Sequence, residues 1–185
     1  MVAKLKFTEA KPDTAIRLDL GAGKGLHTPD GFTPVDVVPW KGVKVMDLTK
    51  RWPWKANSVD EVNCAMLIQY LTAPQRVHFF NELHRVLKPG AKAMIVTPMW
   101  SANKAYVDIL AQWPPVGEGF YYSLNKGWRD AQNCVDRSGL TCNFDAGMGY
   151  GLHQAIVPRN QEYQQDAVMW SKEAAQDLIC TLTKA

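Results

Sequence analysis

The sequence predicts a single α/β domain built on a mostly parallel sheet. Three observations predict it. Short apolar runs alternate with helical patterns through the first hundred residues. A glycine loop follows the first of those runs, and the chain of 185 residues is 46% hydrophobic and 21% charged, the composition of an ordinary globular domain with a sizeable core.

The elements follow in order. "AIRLDL" (15–20) reads as a buried strand closed by Gly21. "TPVDVV" (33–38), "VKVMDL" (43–48) and the β-branched "SVDEVNCAML" (58–67) read as three more strands. Residues 72–90 read as a helix: Thr72 and Gln75 fit a capping box, Pro74 sits in the first turn, and Phe79, Phe80, Leu83, Val86 and Leu87 share one face. Pro89-Gly90 is its expected stop. "AKAMIVTP" (91–98) reads as a fully buried fifth strand and "NKAYVDILAQW" (103–113) as a helix ended by Pro114-Pro115. Residues 116–139 show no period. Segments 140–147 and 177–184 alternate as the last two strands, with 148–165 unassigned. No repeat, linker or low-complexity stretch divides the chain, so residues 1–185 are read as one domain.

Composition narrows the function classes without excluding nucleic acid. A net charge of +3 does not support nucleic-acid binding. No apolar run reaches the roughly 18 residues of a membrane span, and the start of the chain lacks a leader pattern. Cys64, Cys134, Cys142 and Cys180 form no C-x-x-C pair, so neither zinc nor a disulfide framework is expected. Reduced thiols point to the cytoplasm.

The glycine loop, Gly21, Gly23 and Gly25, sits where a nucleotide is usually held. A triphosphate loop needs a glycine where Leu18 stands and Ser or Thr where Gly25 stands. The dinucleotide pattern needs a third glycine where Leu26 stands, and a helix opening at once. "LHTPDGFTPV" does not suit a helix.

What remains is Asp19-Leu20-Gly21-Ala22-Gly23-Lys24-Gly25, which resembles motif I of the class I S-adenosyl-methionine-dependent methyltransferases. Asp36, in "PVDVV", matches the acidic residue that ends strand two of that family; Asp47-Leu48 match its adenine border; "FFNELHRVLKPGAKAMIVTP" is similar to its helix, Lys-Pro-Gly turn and fifth strand. The resemblance covers residues 15–98, the expected cofactor half, leaving 99–185 for acceptor-side segments and the last strands. The resemblance is to small stand-alone methyltransferases, phage-encoded ones included.

It implies a Rossmann-like seven-stranded sheet whose last strand is antiparallel, with S-adenosyl-methionine as cofactor. The implied cofactor residues are Asp19, Leu20, Gly21, Ala22, Gly23, Asp36, Val37, Asp47, Leu48, Ala65 and Met66. Two departures stand out. The helix after motif I is expected to be reduced or absent. Gln69-Tyr70 replace a Glu-His that relatives carry after strand four, which puts a histidine acid–base role there in doubt.

Methyl transfer requires alignment of a nucleophile more than a fixed catalytic triad. The Asn/Asp-Pro-Pro-aromatic motif of DNA amino-methyltransferases is missing after strand four, and no cysteine follows a proline as the cytosine-C5 class requires. The methyl acceptor is unidentified. Tyr121, Tyr122, Trp128 and Arg129 are candidates to stack on and orient a planar acceptor, either a small molecule or a nucleobase-like group; His153 and Asp130 are candidates for a base. A non-catalytic cofactor-binding module, or a partner subunit of another methyltransferase, stands as the alternative.

Overall fold

The computed structural model describes residues 15–132 and 139–185. Cys134 and the 133–138 part of the aromatic segment lie outside them. Seven strands form one sheet: β1 (Arg17–Leu20), β2 (Thr33–Asp36), β3 (Lys44–Val45), β4 (Val59–Ala65), β5 (Leu87–Pro98), β6 (Phe144–Leu152) and β7 (Ala175–Lys184). Their order is β3-β2-β1-β4-β5-β7-β6. β1 to β5 pair in parallel, and β7 runs antiparallel to both β5 and β6. This is the sheet the resemblance implies. Among the described residues four α-helices accompany it: α1 (Ala73–Val86), α2 (Glu118–Tyr122), α3 (Lys126–Ala131) and α4 (Gln161–Trp170).

No helix follows the glycine loop. Residues 21–32 pass through turns directly into β2. Pro29 and Gly31 in that stretch, with Pro34 just beyond it in β2, leave no run long enough to nucleate one.

Register sorts the strands into two faces. On one, Leu18, Val62, Ala93, Leu182 and Ala146 lie in a row, and Cys64, Ile95, Cys180 and Met148 follow above it. Phe79, Phe80, Leu83 and Val86 of α1 join the same core cluster, as do Tyr121 and Leu124 of the α2 region. On the other face, Arg17, Glu61, Lys92, Thr183 and Asp145 form a row, followed by Asp19, Asn63, Met94, Thr181 and Gly147. Glu61, Lys92, Asp145 and Gly147 are exposed, and Met94 is 44% exposed. Among the described residues these positions lie open, and the expectation of a fully buried β5 is corrected. The cause lies in the strands: most of these second-face positions are charged or polar, so a covering helix would gain little there.

Several boundaries also move. α1 begins as expected at Thr72, whose N–H donates to Gln75 Oε1 at 2.9 Å. It ends at Val86 instead of residue 90. Leu87 is already extended and pairs with Val59, because a residue before proline is disfavoured in helical geometry and Pro89 has no N–H to donate. Residues 103–113 form only a 3-10 turn at Asn103–Ala105 followed by turns. There Asp108 Oδ1 accepts the Leu110 N–H at 2.9 Å, a local bond that competes with helix formation. The unassigned stretch holds the glycine-rich end of β6 and α4, whose N-cap Asn160 accepts the Tyr163 N–H at 2.9 Å. No helix among the described residues is long and apolar enough to cross a membrane.

Candidate functional site

The carboxyl ends of β1, β2 and β4 meet where the strand order reverses, between β1 and β4. In open α/β sheets that is where a crevice forms. A cleft of about 370 Å³ lies there, bounded by Gly21, Asp36, Val37, Asp47, Leu48 and Tyr70 among others. Five of the eleven cofactor residues implied by the sequence thus border one cavity.

The glycine loop is held by backbone and carboxylate together. Gly21 N and Ala22 N donate to Val35 O at 2.9 and 3.1 Å. Gly23 N donates to Asp36 Oδ2 at 2.8 Å, and Val38 N donates to Asp36 Oδ1 at 2.9 Å. Gly21 has φ +74, and a Cβ there would sit 2.9 Å from Leu67 Cβ. Gly23 has φ +55 but nothing within 4 Å of such an atom, so its bare backbone opens on space. Asp47 Oδ1 accepts both the Thr49 hydroxyl at 2.6 Å and the Thr49 N–H at 2.9 Å. These bonds hold its carboxyl below the usual range, the hydroxyl contributing most. The loop carrying Asp47 is fixed from α1: Trp52 N donates to Glu82 Oε2 at 2.8 Å, and Arg85 reaches the carbonyls of Trp54 and Trp52 at 2.8 and 3.0 Å.

Asp19 does not open on the cleft. It is 4% exposed. Its Oδ1 accepts Asn63 Nδ2 at 2.7 Å and its Oδ2 accepts the Thr28 hydroxyl at 2.6 Å. It braces β1 to β4 and to the shortened loop. Leu20 is fully buried, and Ala22 and Gly23 shape the loop. Met66 borders a second cleft of about 230 Å³ with Gln69, Tyr70, Pro98, Val107 and Asp108. Ala65, just before it, closes β4.

Tyr70 borders both cavities. Its hydroxyl donates to Asp108 Oδ2 at 2.6 Å. That bond raises the Tyr70 pKa, burial adds to the rise, and the Gln69 side chain opposes it. The same bond lowers the Asp108 carboxyl, with the Leu110 N–H second. Met66 has φ +57, uncommon for a side-chain-bearing residue. Arg76 of α1 holds the cleft wall: its Nε donates to Ile68 O at 3.1 Å and its Nη atoms reach Pro114 O and Gln112 O at 3.4 and 3.5 Å. Gln69, Asp108 and Arg76 carried no role in the sequence reading; the substitution of Gln69-Tyr70 for Glu-His was the available signal.

The acceptor and base candidates fall elsewhere. Tyr121 is completely buried, packing edge-on against Phe80, with its hydroxyl 3.3 Å from Thr97; it cannot stack on a substrate. Burial pushes its pKa up. α3 lies at the start of β6, the opposite edge of the sheet from the clefts: its N-cap Asn125 donates to Phe144 O at 3.1 Å. Trp128, Arg129 and Asp130 go with it. Arg129 Nη1 donates to Ser123 O at 2.7 Å and Nη2 to Cys142 O at 3.1 Å, so it clips segments together. Asp130 is exposed and pairs with Lys126 at 2.6 Å. Tyr122 is half-exposed on α2 and borders neither cleft. His153 follows β6, its Nδ1 accepting the Ala155 N–H at 3.2 Å, and it lines neither cleft. These placements remove the stacking argument for a planar acceptor. A larger groove of about 450 Å³ runs between β6 and α4, lined by Tyr150, Leu152, Gln161, Gln164, Val168 and Met169. It holds none of the glycines or carboxylates above.

Comparison with known proteins agrees with this fold. Residues 32–95 match the family model described as a methyltransferase domain. No curated protein matches the chain in sequence. Among solved structures, an S-adenosyl-methionine-dependent methyltransferase from Archaeoglobus fulgidus is similar at 14% identity, covering 92% of this chain and 87% of that one with a TM-score of 0.65. Geranyl diphosphate C-methyltransferase from Streptomyces coelicolor, solved with Mg2+, geranyl diphosphate and S-adenosyl-homocysteine, is 12% identical over 92% of this chain and 71% of its own, at 0.52. An S-adenosyl-methionine-dependent methyltransferase from Mesorhizobium loti is 16% identical over 91% and 90%, at 0.50. The chain is a protein of the class I S-adenosyl-methionine-dependent methyltransferase fold, with a methyltransferase-domain match across its second to fifth strands.

Proposed function

We propose that the protein binds S-adenosyl-methionine in the cleft beside Asp36 and transfers its methyl group to a small acceptor entering from the neighbouring cleft. The observation that carries this reading is the convergence of Gly21, Asp36, Val37, Asp47 and Leu48 on one cavity at the strand-order reversal. Those residues suit that cofactor. Each Asp36 oxygen accepts one backbone N–H and keeps a second lone pair for a ribose hydroxyl. Asp47 Oδ1 takes both Thr49 donors, leaving Oδ2 to accept from an adenine amino group. Val37, Met46 and Leu48 supply apolar walls for the ring. The open backbone at Gly23 admits close approach. The bound cofactor supplies an electrophilic methyl on a sulfonium. The chain's own residues orient it, and the shared Tyr70 stands between donor and acceptor spaces.

Titration calorimetry with S-adenosyl-methionine and S-adenosyl-homocysteine tests the reading. Asp36→Ala removes the acceptor of two hydroxyl donors. Hydrogen bonds to a charged group are worth about 1.5–3 kcal/mol each, so affinity should fall by about 100-fold or more. Two outcomes reject the reading: neither nucleoside binds the wild type, or a folded Asp36→Ala variant binds as tightly as the wild type.

A further inference from the structure

We infer that a second copy of this chain docks on the face formed by α4 and the 100–113 segment, and that the protein is a two-fold dimer joined there. This interface stands apart from the methyl-donor site: none of its residues borders the 370 Å³ cleft.

The face is apolar and contiguous. Trp100, Tyr106, Met169 and Trp170 line one groove of about 400 Å³. Tyr106 carries the patch on to Trp113, whose ring lies 6.3 Å from its own, and its hydroxyl donates to Trp100 O at 2.6 Å. The turn between them raises Val107, Ile109 and Leu110 into solvent; Ile109 is 96% exposed and Trp113 80%. All eight side chains are at least half exposed. Together they offer apolar surface on the order of 1,000 Å². The largest apolar patch on a monomer is about 300–600 Å², whereas each partner of a stable pair contributes about 800 Å². The face has the size of one side of a dimer, and its aromatic and Met content suits the core of an interface.

α4 calls for a partner on its own account. Ala167 is its one buried residue, and Val168 packs partly on the core. A helix of ten residues is marginal alone in water and draws most of its stability from packing. α4 also stands between two grooves: Val168 and Met169 line both the one of about 400 Å³ and the one of about 450 Å³ beside β6. A ridge flanked by grooves is self-complementary. About a two-fold axis, the ridge of each copy seats in a groove of the other. A foreign partner would need only one of those shapes; this face carries both. Charge disfavours a lipid surface. Lys104 is engaged by Asp177, and Lys172 adjoins Glu173, so the cations at this face are matched by carboxylates instead of left to attract an anionic bilayer.

Analytical ultracentrifugation of the full chain at about 50 μM tests the interface, since contacts of this area hold at micromolar affinity or tighter. The wild type should sediment with twice the mass of one chain. Ile109→Lys changes the most exposed side chain of the patch, so internal packing is untouched; Trp170→Lys places the same charge at the end of α4. Each should raise the dimer dissociation constant at least about tenfold. Leu26→Lys, equally exposed but outside the patch, should leave it unchanged. An unchanged constant in both patch variants, or an equal loss in Leu26→Lys, overturns the inference. A monomeric wild type overturns it as well. If that monomer sediments with phosphatidylglycerol vesicles and Ile109→Lys does not, the face belongs to a lipid surface instead.

Discussion

Asn63→Leu is the sharpest probe of how the glycine loop is built. Asp19 lies at the end of β1, 4% exposed, and its carboxylate meets two side-chain donors: Asn63 Nδ2 at 2.7 Å and the Thr28 hydroxyl at 2.6 Å. Leucine keeps the bulk of Asn63 and deletes one donor. A hydrogen bond to a charged group is worth about 1.5–3 kcal/mol, and stranding a buried charge raises the loss toward about 3–5. With a urea slope of about 2 kcal/mol/M for a domain of this size, the unfolding midpoint should fall by about 1–2 M. The double variant Asp19→Leu/Asn63→Leu separates lost packing from lost pairing. It removes both polar partners, so it should recover at least half of the single variant's loss, a coupling measured by the double-mutant cycle. A midpoint shift below about 0.3 M, or strictly additive effects, would refute the claim that Asp19 is a brace fixed by Asn63.

Gly21→Ala should destabilise more than Gly23→Ala in thermal melts. Both carry the cost of positive φ, roughly 1 kcal/mol, but only at Gly21 would the new methyl sit 2.9 Å from Leu67 Cβ; equal melting shifts would contradict the packing described. Acid titration of stability tests the α1 anchor. Glu82 accepts from Arg85 and from Trp52 N, and these bonds hold its folded pKa below 4.5. Its contribution is therefore complete above the unfolded value and is lost as pH falls through the folded one. Wild type should exceed Glu82→Gln by about 1–3 kcal/mol at pH 7, with the gap closing below about pH 4.5; a gap independent of pH would refute it.

The half of the chain with local signals was the legible half. The capping box at Thr72 and Gln75, the glycine spacing and the acidic strand ends are short-range patterns, and each marks a real feature. The polar face of the sheet was equally written in the sequence. Arg17, Asp19, Glu61, Asn63 and Lys92 fall at alternate positions of three strands, but an apolar run such as "AKAMIVTP" conceals its period when Met stands at an outward position. What the sequence hid depends on long-range placement. Whether Trp128 and Arg129 lie near the site is decided by which edge of β6 receives α3, and no local pattern carries that information. The same holds for Asp108, brought to Tyr70 across 38 residues.

The missing helix and the cofactor are two sides of one arrangement. A helix opening after the glycines would aim its positive end at the cleft, a gain for a phosphate. Among the described residues no helix begins there, and the loop relies on other fastenings: Val35 O for Gly21 and Ala22, Asp36 for Gly23, Asp19 for Thr28. Two of the three are carboxylates, so the loop is tied down by negative charge. Such charge disfavours a pyrophosphate and suits the hydroxyls of a ribose and a sulfonium, the groups of the proposed cofactor. Under the proposed function Asp36 has two tasks, since the carboxylate that would meet the ribose is the one that holds Gly23. The proposal therefore predicts that loop order and cofactor affinity are coupled through it, so that a substitution that loosens one weakens the other.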